Sequence, residues 1–254
     1  MLLAIDVGNT NTVLGLYDGD QLVHDFRIET ARGRTTDELH VLLANLLEIA
    51  EVPRREVTAS ILASVVPSTT ERFAEAIDRA FDHDVMVVQP GIKTGVRLLY
   101  ENPREVGADR IVNAVAAYAR VRGAVIVVDF GTATTFDCIS TQGEYLGGAI
   151  APGMEISANA LFSRAARLFR AQLARPPKAI GRNTAHSMQA GIVFGYVGLV
   201  DGLVDRLRDE MGGAARVIAT GGQARLIEAD SETIDEVDDF LTLDGLRILW
   251  ERNR

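Results

Sequence analysis

Two short stretches of the sequence carry the residues best suited to chemistry, and they share one pattern. Residues 6–12 read DVGNTNT and residues 129–135 read DFGTATT. In each, an apolar run is followed by aspartate, one apolar residue and glycine, and then by mostly small hydroxyl or amide residues. The glycine permits a tight turn, main-chain N–H groups and hydroxyls can donate to an anion, and the aspartate can hold Mg²⁺ directly or through water. The pattern is typical of a phosphate-binding turn.

A single turn of this kind is weak evidence, because ordinary hairpin turns use the same residues. Two such turns at matching points of a fold are stronger evidence, because together they can clamp a polyphosphate. The commoner nucleotide-binding patterns, GxxxxGK[ST] and GxGxxG, do not occur in the sequence. A third turn, TGG at residues 220–222, follows an apolar strand and precedes a helix. It suits close approach by a ribose or a flat ring, and it equally suits an ordinary βα connection.

The elements that must position these turns repeat along the chain. Asp6 and Asp129 are 123 residues apart (129 − 6), which is close to half of the 254 residues. Each turn joins two predicted strands, and in each half a further strand, at 59–65 or 216–220, leads towards a helix. We therefore predict an α/β protein with two similar domains, each a mixed sheet flanked by helices, and an interdomain cleft as the ligand site.

Two predicted helices help to place the domain boundary. The first covers 103–122 and joins the halves, which divides the chain into an N-terminal domain at 1–118 and a C-terminal domain at 119–254. The second covers 185–211 and carries a stripe of four glycines, Gly191, Gly195, Gly198 and Gly202. Such a stripe lets another backbone come close, as a contact between domains or subunits requires. A core helix with tolerated glycines explains it equally well.

Composition limits the possible partners and the compartment. The chain is 47% hydrophobic and 24% charged, as in soluble globular proteins. Its net charge of −9 opposes binding to nucleic acid or to an anionic membrane. Cys138 is the single cysteine, so neither an intrachain disulfide nor a multi-cysteine metal site can form. The longest apolar run, 190–200, is shorter than the roughly 18 residues of a membrane span. We expect a cytoplasmic protein with no nucleic-acid or membrane partner.

Five blocks, occurring in order, resemble the type III pantothenate kinases, within the acetate and sugar kinase/Hsp70/actin superfamily. They are DVGNTNT, ENPREVGADR at 101–110, DFGTATT, GRNT at 181–184 and TGG. The Asp-x-Gly turns mark the superfamily, whereas the NPxxxGADR pattern marks the pantothenate enzymes. The resemblance covers essentially the whole chain and implies two ribonuclease H-like (actin-like ATPase) domains. One departure is Phe169, where many relatives have proline.

The resemblance also implies an activity and its residues. The activity is ATP-dependent phosphorylation of pantothenate to 4′-phosphopantothenate, the first step of coenzyme A biosynthesis, carried out by a homodimer. ATP would bind to Asp6, Val7, Gly8, Asn9, Thr10, Asn11, Thr12, Val13 and Thr132. Pantothenate would bind to Tyr100, Gly107, Ala108, Asp109, Arg110 and Thr184. Thr184 would act in its own or in the neighbouring subunit's site. Asp109 would be the general base, Asp129 would bind K⁺ or NH₄⁺, and Asp6 would hold Mg²⁺ through water.

Elementary chemistry supports these roles. Phosphoryl transfer depends on positioning and charge neutralisation, and without a P-loop lysine the positive charge must come from Mg²⁺ and a monovalent cation. Asp109 can accept the alcohol proton, and Arg110 can pair with a carboxylate. Taken singly, each residue also has a structural explanation, such as Thr184 as a helix N-cap. The alternatives that stay open are another small-molecule kinase and a nucleotide-dependent regulatory ATPase of the same superfamily.

Overall fold

The computed structural model describes residues 1–164 and 172–254, which separate into two compact units. Phe169 lies outside the described residues. Unit 1 consists of Met1–Gly95, Asn102–Ala116 and Leu241–Arg254. Unit 2 consists of Val96–Glu101 and Ala117–Phe240.

Unit 1 contains a five-stranded mixed sheet. Its strands are Leu2–Val7 (β1), Asn11–Asp18 (β2), Gln21–Glu29 (β3), Ala59–Ser64 (β4) and Met86–Val87 (β5). They lie in the order β3-β2-β1-β4-β5. β1 is central, antiparallel to β2 and parallel to β4. Its sequence is an almost continuous apolar run because a central strand with neighbours on both faces buries nearly every side chain.

The first three helices begin in this unit. They are Thr36–Ile49 (α1), Pro67–Phe81 (α2) and Ala108–Val121 (α3). α1 starts with a capping box formed by Thr35 and Glu38, and α2 starts with proline in its first turn. The predicted helix at 103–122 is wrong at its start. Pro103–Glu105 forms a separate 3₁₀ turn capped by Asn102, and the extended backbone of Val106 interrupts helical hydrogen bonding before α3.

Unit 2 contains a six-stranded mixed sheet. Its strands are Arg97–Leu98 (β6), Val125–Phe130 (β7), Ala133–Ile139 (β8), Glu144–Pro152 (β9), Arg216–Gly221 (β10) and Glu236–Val237 (β11). Its further helices are Met154–Arg164 (α4), Thr184–Glu210 (α5) and Ala224–Glu228 (α6). The strand order is β11-β10-β7-β8-β9-β6. The part β9-β8-β7-β10-β11 repeats the order of unit 1, which confirms the predicted duplication of an α/β unit with a mixed sheet flanked by helices.

The last helix, Leu241–Asn253 (α7), packs against β1, β2 and β4. A Cβ on its Gly245 would collide with the carbonyl oxygen of Val112 in α3. Thr242 donates to the fully buried Asn113, with 2.7 Å between Oγ1 and Oδ1. α7 therefore belongs to unit 1, although the predicted domains of 1–118 and 119–254 place it in the second. The units also differ from those domains at 96–101.

Helix α5 is long and apolar enough to cross a membrane by length and composition, with a mean hydropathy of 1.4 in its most apolar stretch. That is weak evidence for a span, because core helices of soluble proteins pass the same test. One side of α5 packs into the core of unit 2 through Val193, Val200 and Val204. We therefore interpret α5 as a core helix of this unit.

Candidate functional site

The first Asp-x-Gly turn joins β1 to β2 and is closed by its own main chain. The Gly8 N–H donates to the carbonyl oxygen of Asn11 at 3.0 Å. A Cβ on Gly8 would lie 2.9 Å from that oxygen, so a side chain has no room there. Asn9, Thr10 and Asn11 are exposed at the tip, whereas Asp6 is half-buried. The turn thus exposes small polar residues at its tip, as suits an anion-binding turn.

The residues that follow β3 hold this turn in place. The Thr30 N–H donates to the Thr10 carbonyl at 2.9 Å, and the Thr30 and Thr12 hydroxyls lie 2.9 Å apart. The Arg32 guanidinium donates to Asn9 Oδ1 at 3.0 Å and so places a positive charge beside the tip. The sequence does not predict this contact, because Arg32 lies 23 residues from Asn9 and belongs to no recognisable motif.

The Gly107–Arg110 block lies in the same unit as the first turn, and Val65 connects the two. The Val65 N–H donates to the Val7 carbonyl at 3.1 Å. The Cγ1 atom of Val65 lies 3.9 Å from the position that a Cβ on Gly107 would occupy. The end of β4 therefore brings the start of α3 to the Asp-x-Gly turn.

Asp109 lies in the first turn of α3 and is half-buried. Its Oδ1 atom accepts from the Arg110 N–H at 2.8 Å, and a Cβ on Gly107 would collide with the same oxygen. Burial raises the pKa of the Asp109 carboxyl, and the Arg110 N–H and guanidinium lower the pKa in part. A carboxylate with a raised pKa accepts a proton more readily than a solvated one. The Arg110 side chain is itself buried, with 7% of its surface exposed.

The second Asp-x-Gly turn joins β7 to β8. The Gly131 N–H donates to the Ala133 carbonyl at 3.0 Å, and the Gly153 N–H donates to the Thr132 carbonyl at 3.1 Å. A Cβ on Gly153 would collide with the Thr132 carbonyl oxygen. Thr132 is exposed, and its carbonyl group accepts from Gly153.

The TGG turn lies beside Asp129 because β10 pairs in parallel with β7. Thr220 is opposite Asp129, and Gly221 is opposite Phe130. Gly221 has φ +91°, and a Cβ there would lie 2.7 Å from Asp129 Oδ1 and 2.6 Å from the Phe130 carbonyl oxygen. The glycine therefore lets one carboxylate oxygen and one carbonyl oxygen lie close to its main chain. Such oxygens are suitable ligands for K⁺.

A cluster of three or more His, Cys, Asp or Glu side chains able to hold a metal is absent from residues 1–164 and 172–254. Magnesium that arrives on nucleotide phosphates does not need such a cluster, because one or two carboxylates and water complete its coordination. Asp6 beside the first turn fits that requirement.

Tyr100 and Thr184 belong to unit 2. Tyr100 is half-buried next to Tyr145, with ring centroids 6.2 Å apart. Thr184 is the exposed first residue of α5. The explanation of Thr184 as a helix N-cap is wrong, because Asn183 occupies that position and its Oδ1 accepts from the His186 N–H at 2.8 Å.

The predicted site residues thus form two sets. Unit 1 holds the first turn with Gly107, Ala108, Asp109 and Arg110, and unit 2 holds Tyr100, Asp129, Thr132 and Thr184. Within unit 1 the structure joins a phosphate-binding type of turn to a half-buried carboxylate. Within unit 2 it joins Asp129 to the TGG turn.

Comparison with known proteins finds relatives along the whole chain. A family model described as type III pantothenate kinase matches residues 2–206. A type III pantothenate kinase from Pelobacter propionicus is 60% identical over 255 residues and covers 100% of both chains. One from Myxococcus xanthus is 54% identical over 253 residues, which cover 100% of this chain and 99% of that protein.

Solved structures share the fold at low identity. A protein from Campylobacter jejuni described as a Baf family transcriptional activator has a TM-score of 0.60 at 18% identity, covering 99% of this chain and 98% of the other. A protein from Sinorhizobium meliloti described as a 2-dehydro-3-deoxygalactonokinase has a TM-score of 0.59 at 13% identity, covering 98% of each chain. At these identities the likeness establishes the fold alone, and it confirms the predicted class of actin-like and sugar kinase folds.

Proposed function

The chain belongs to the type III pantothenate kinase family, and we propose from that premise that it transfers the terminal phosphate of ATP to pantothenate. The product is 4′-phosphopantothenate, and the reaction is the first step of coenzyme A biosynthesis. The observation that carries the proposal is the position of Asp109, a half-buried carboxylate connected through Val65 to the first Asp-x-Gly turn.

Asp109 is the proposed general base. It accepts the proton of the primary alcohol of pantothenate while the alcohol oxygen attacks the terminal phosphorus, and ADP leaves. The raised pKa of its carboxyl suits this role. Gly107, Ala108 and Arg110 contact the same substrate, and the positive charge of Arg110 suits the carboxylate of pantothenate. Tyr100 and Thr184 supply further hydroxyl groups.

The two Asp-x-Gly turns have separate proposed roles in binding ATP. Asp6–Val13 contacts the phosphates, and Asp6 holds Mg²⁺ through water. The magnesium ion neutralises phosphate charge, and Arg32 beside Asn9 adds positive charge there. In unit 2, Thr132 contacts the nucleotide, and Asp129 with the Phe130 carbonyl holds K⁺ or NH₄⁺.

The test is ATP consumption with and without pantothenate, measured in K⁺ and in Na⁺ buffer. We expect turnover that requires pantothenate and rises with K⁺. Slow hydrolysis that ignores pantothenate would favour a regulatory ATPase. Phosphorylation of a sugar or another carboxylate in place of pantothenate would favour a different kinase of the superfamily.

Replacement of Asp129 tests the cation site. Asp129→Ala is expected to raise KM for ATP about tenfold, because one charge-assisted contact is lost, and to abolish activation by K⁺. The measurement is the rate at varied ATP in K⁺ and Na⁺ buffers. Asp205→Ala, which removes an exposed aspartate of α5, is the control and should keep the K⁺ effect. Undiminished activation in Asp129→Ala would place the cation elsewhere.

A homodimer is proposed from helix α5. Gly191, Gly195 and Gly198 are exposed, and apart from neighbouring residues and the nearby main chain of α5 itself no described atom lies within 4 Å of the position where a Cβ on any of them would sit. The most apolar stretch of the helix is 39% buried. A second copy packed on this face would bury the rest of the apolar stretch, and its main chain could come close to the main chain of α5. Because Thr184 begins the same helix, it would then lie near the partner.

The oligomeric state tests this proposal. Gly195→Leu is expected to convert the dimer to a monomer in sedimentation velocity, because a bulky side chain would keep the second backbone away. Within one chain no other described side chain, apart from those of the adjacent residues, lies near the position of the new Cβ, so the melting temperature of the variant should not fall. Gly33→Leu, also in open space, is the control and should stay dimeric. A dimeric Gly195→Leu variant would exclude this face.

The proposed location is the cytoplasm, without a nucleic-acid or membrane partner. The net charge of −9 and the single cysteine, the buried Cys138, support this location.

A further inference from the structure

We propose that Tyr145, anchored by Asp137, is a positioning residue that sets the orientation of the Tyr100 ring for pantothenate. The inference rests on the proposed function, in which Tyr100 contacts the substrate. All three residues belong to unit 2.

Tyr100 rests on β9. Its ring lies tilted by 56° to the ring of Tyr145, with 6.2 Å between centroids. Gly147 has φ +116°, and a Cβ there would lie 3.4 Å from Tyr100 Cε2, so the Tyr100 ring also lies close to the main chain at Gly147. The Leu99 N–H donates to the Tyr145 carbonyl at 2.8 Å. Both the side chain and the main chain of Tyr145 therefore determine where Tyr100 lies.

Tyr145 is in turn held by a carboxylate in the core. The Tyr145 hydroxyl donates to Asp137 Oδ1 at 2.8 Å, and the Thr135 hydroxyl donates to Asp137 Oδ2 at 3.2 Å. Asp137 and Tyr145 are both fully buried. Burying a carboxylate is unfavourable. An apolar residue in place of Asp137, facing phenylalanine in place of Tyr145, would fill the same part of the core without that cost. What the polar pair provides is a defined position for the Tyr145 ring.

A bulge in β9 adds to this arrangement. Cys138 pairs with Gly147, and the next residue, Ile139, pairs with Tyr145, so Leu146 is the extra residue. Bulges redirect neighbouring side chains and are frequent next to active sites. Here the bulge separates the two residues, Tyr145 and Gly147, that contact Tyr100.

The first test is Tyr145→Phe, which removes one hydroxyl. KM for pantothenate should rise about tenfold, as the loss of one oriented contact predicts, with KM for ATP unchanged. Tyr118→Phe is the matched control, because the Tyr118 hydroxyl donates to the Thr141 carbonyl at 3.4 Å, outside the chain from Asp137 to Tyr100. It should leave both KM values unchanged. Asp137→Asn keeps an oxygen that accepts from Tyr145, so its KM for pantothenate should lie between those of wild type and Tyr145→Phe.

A double-mutant cycle separates positioning from a general structural role. Tyr100→Ala should itself raise KM for pantothenate, and adding Tyr145→Phe should then have no further effect, because Tyr145 acts through Tyr100. Additive effects, or an equal rise of both KM values together with a lower melting temperature, would overturn the inference. So would an unchanged KM for pantothenate in Tyr145→Phe. Failure of the proposed function would look different, because the wild-type protein would then lack pantothenate-dependent turnover.

Discussion

Asp109→Asn is expected to lower kcat about a thousandfold, within the range that general bases contribute. Asparagine keeps the shape and an oxygen that can accept from the Arg110 N–H, but it cannot take the proton of the attacking alcohol. Because Asp109 lies outside the proposed nucleotide contacts, KM for ATP should be unchanged. The measurement is steady-state turnover with both substrates varied, together with nucleotide binding by calorimetry. Wild-type kcat in this variant would remove Asp109 from the role of base.

The pH dependence supplies a second readout for the same residue. Asp109 works as a base when ionised, and burial raises its pKa above the ordinary 3.8. In wild type, kcat/KM for pantothenate should therefore fall as the pH drops through a value above 3.8. The folded chain binds this proton more tightly than the unfolded chain, so the contribution of Asp109 to stability decreases as pH rises through that window. Asp109→Asn should consequently melt at or above the wild-type temperature at neutral pH, which separates lost chemistry from lost folding.

Gly107→Ala is expected to lower kcat about a hundredfold, although the substitution adds one methyl group. The new Cβ would collide with Asp109 Oδ1, so the carboxylate must move, and a displacement of about 1 Å is enough for such a loss. KM for ATP should again be unchanged, because the first Asp-x-Gly turn is untouched. The measurement is kcat with both substrates saturating.

Gly123→Ala is the matched control for that change. Its Cβ would meet Val121 at 3.7 Å and 3.8 Å, which is ordinary contact, so activity and melting temperature should stay near wild type. If Gly107→Ala were as active as Gly123→Ala, the close approach of Gly107 to Asp109 would have no part in the reaction.

The sequence by itself determined the features that depend on neighbouring residues. The Asp-x-Gly turns, the strands that they join and the proline start of α2 follow from glycine, proline and apolar runs, whose preferences act within a few residues. The separation of Asp6 and Asp129, which is close to half the length of the chain, predicted the duplication. The GADR residues at 107–110 indicated the family. The roles of individual site residues, the monovalent cation and the homodimer stay predictions.

Only the tertiary structure decided which of these parts meet. α7 returns to unit 1 through contacts such as Thr242 with Asn113, which are 129 residues apart. Arg32 reaches Asn9, Val65 connects the first turn to Gly107, and Tyr145 supports Tyr100. Asp109 becomes buried, and the pKa of its carboxyl is raised, only when the chain has folded around it. Local sequence preferences carry no information about such distant contacts, since contacts of this kind arise from the packing of whole elements into a core.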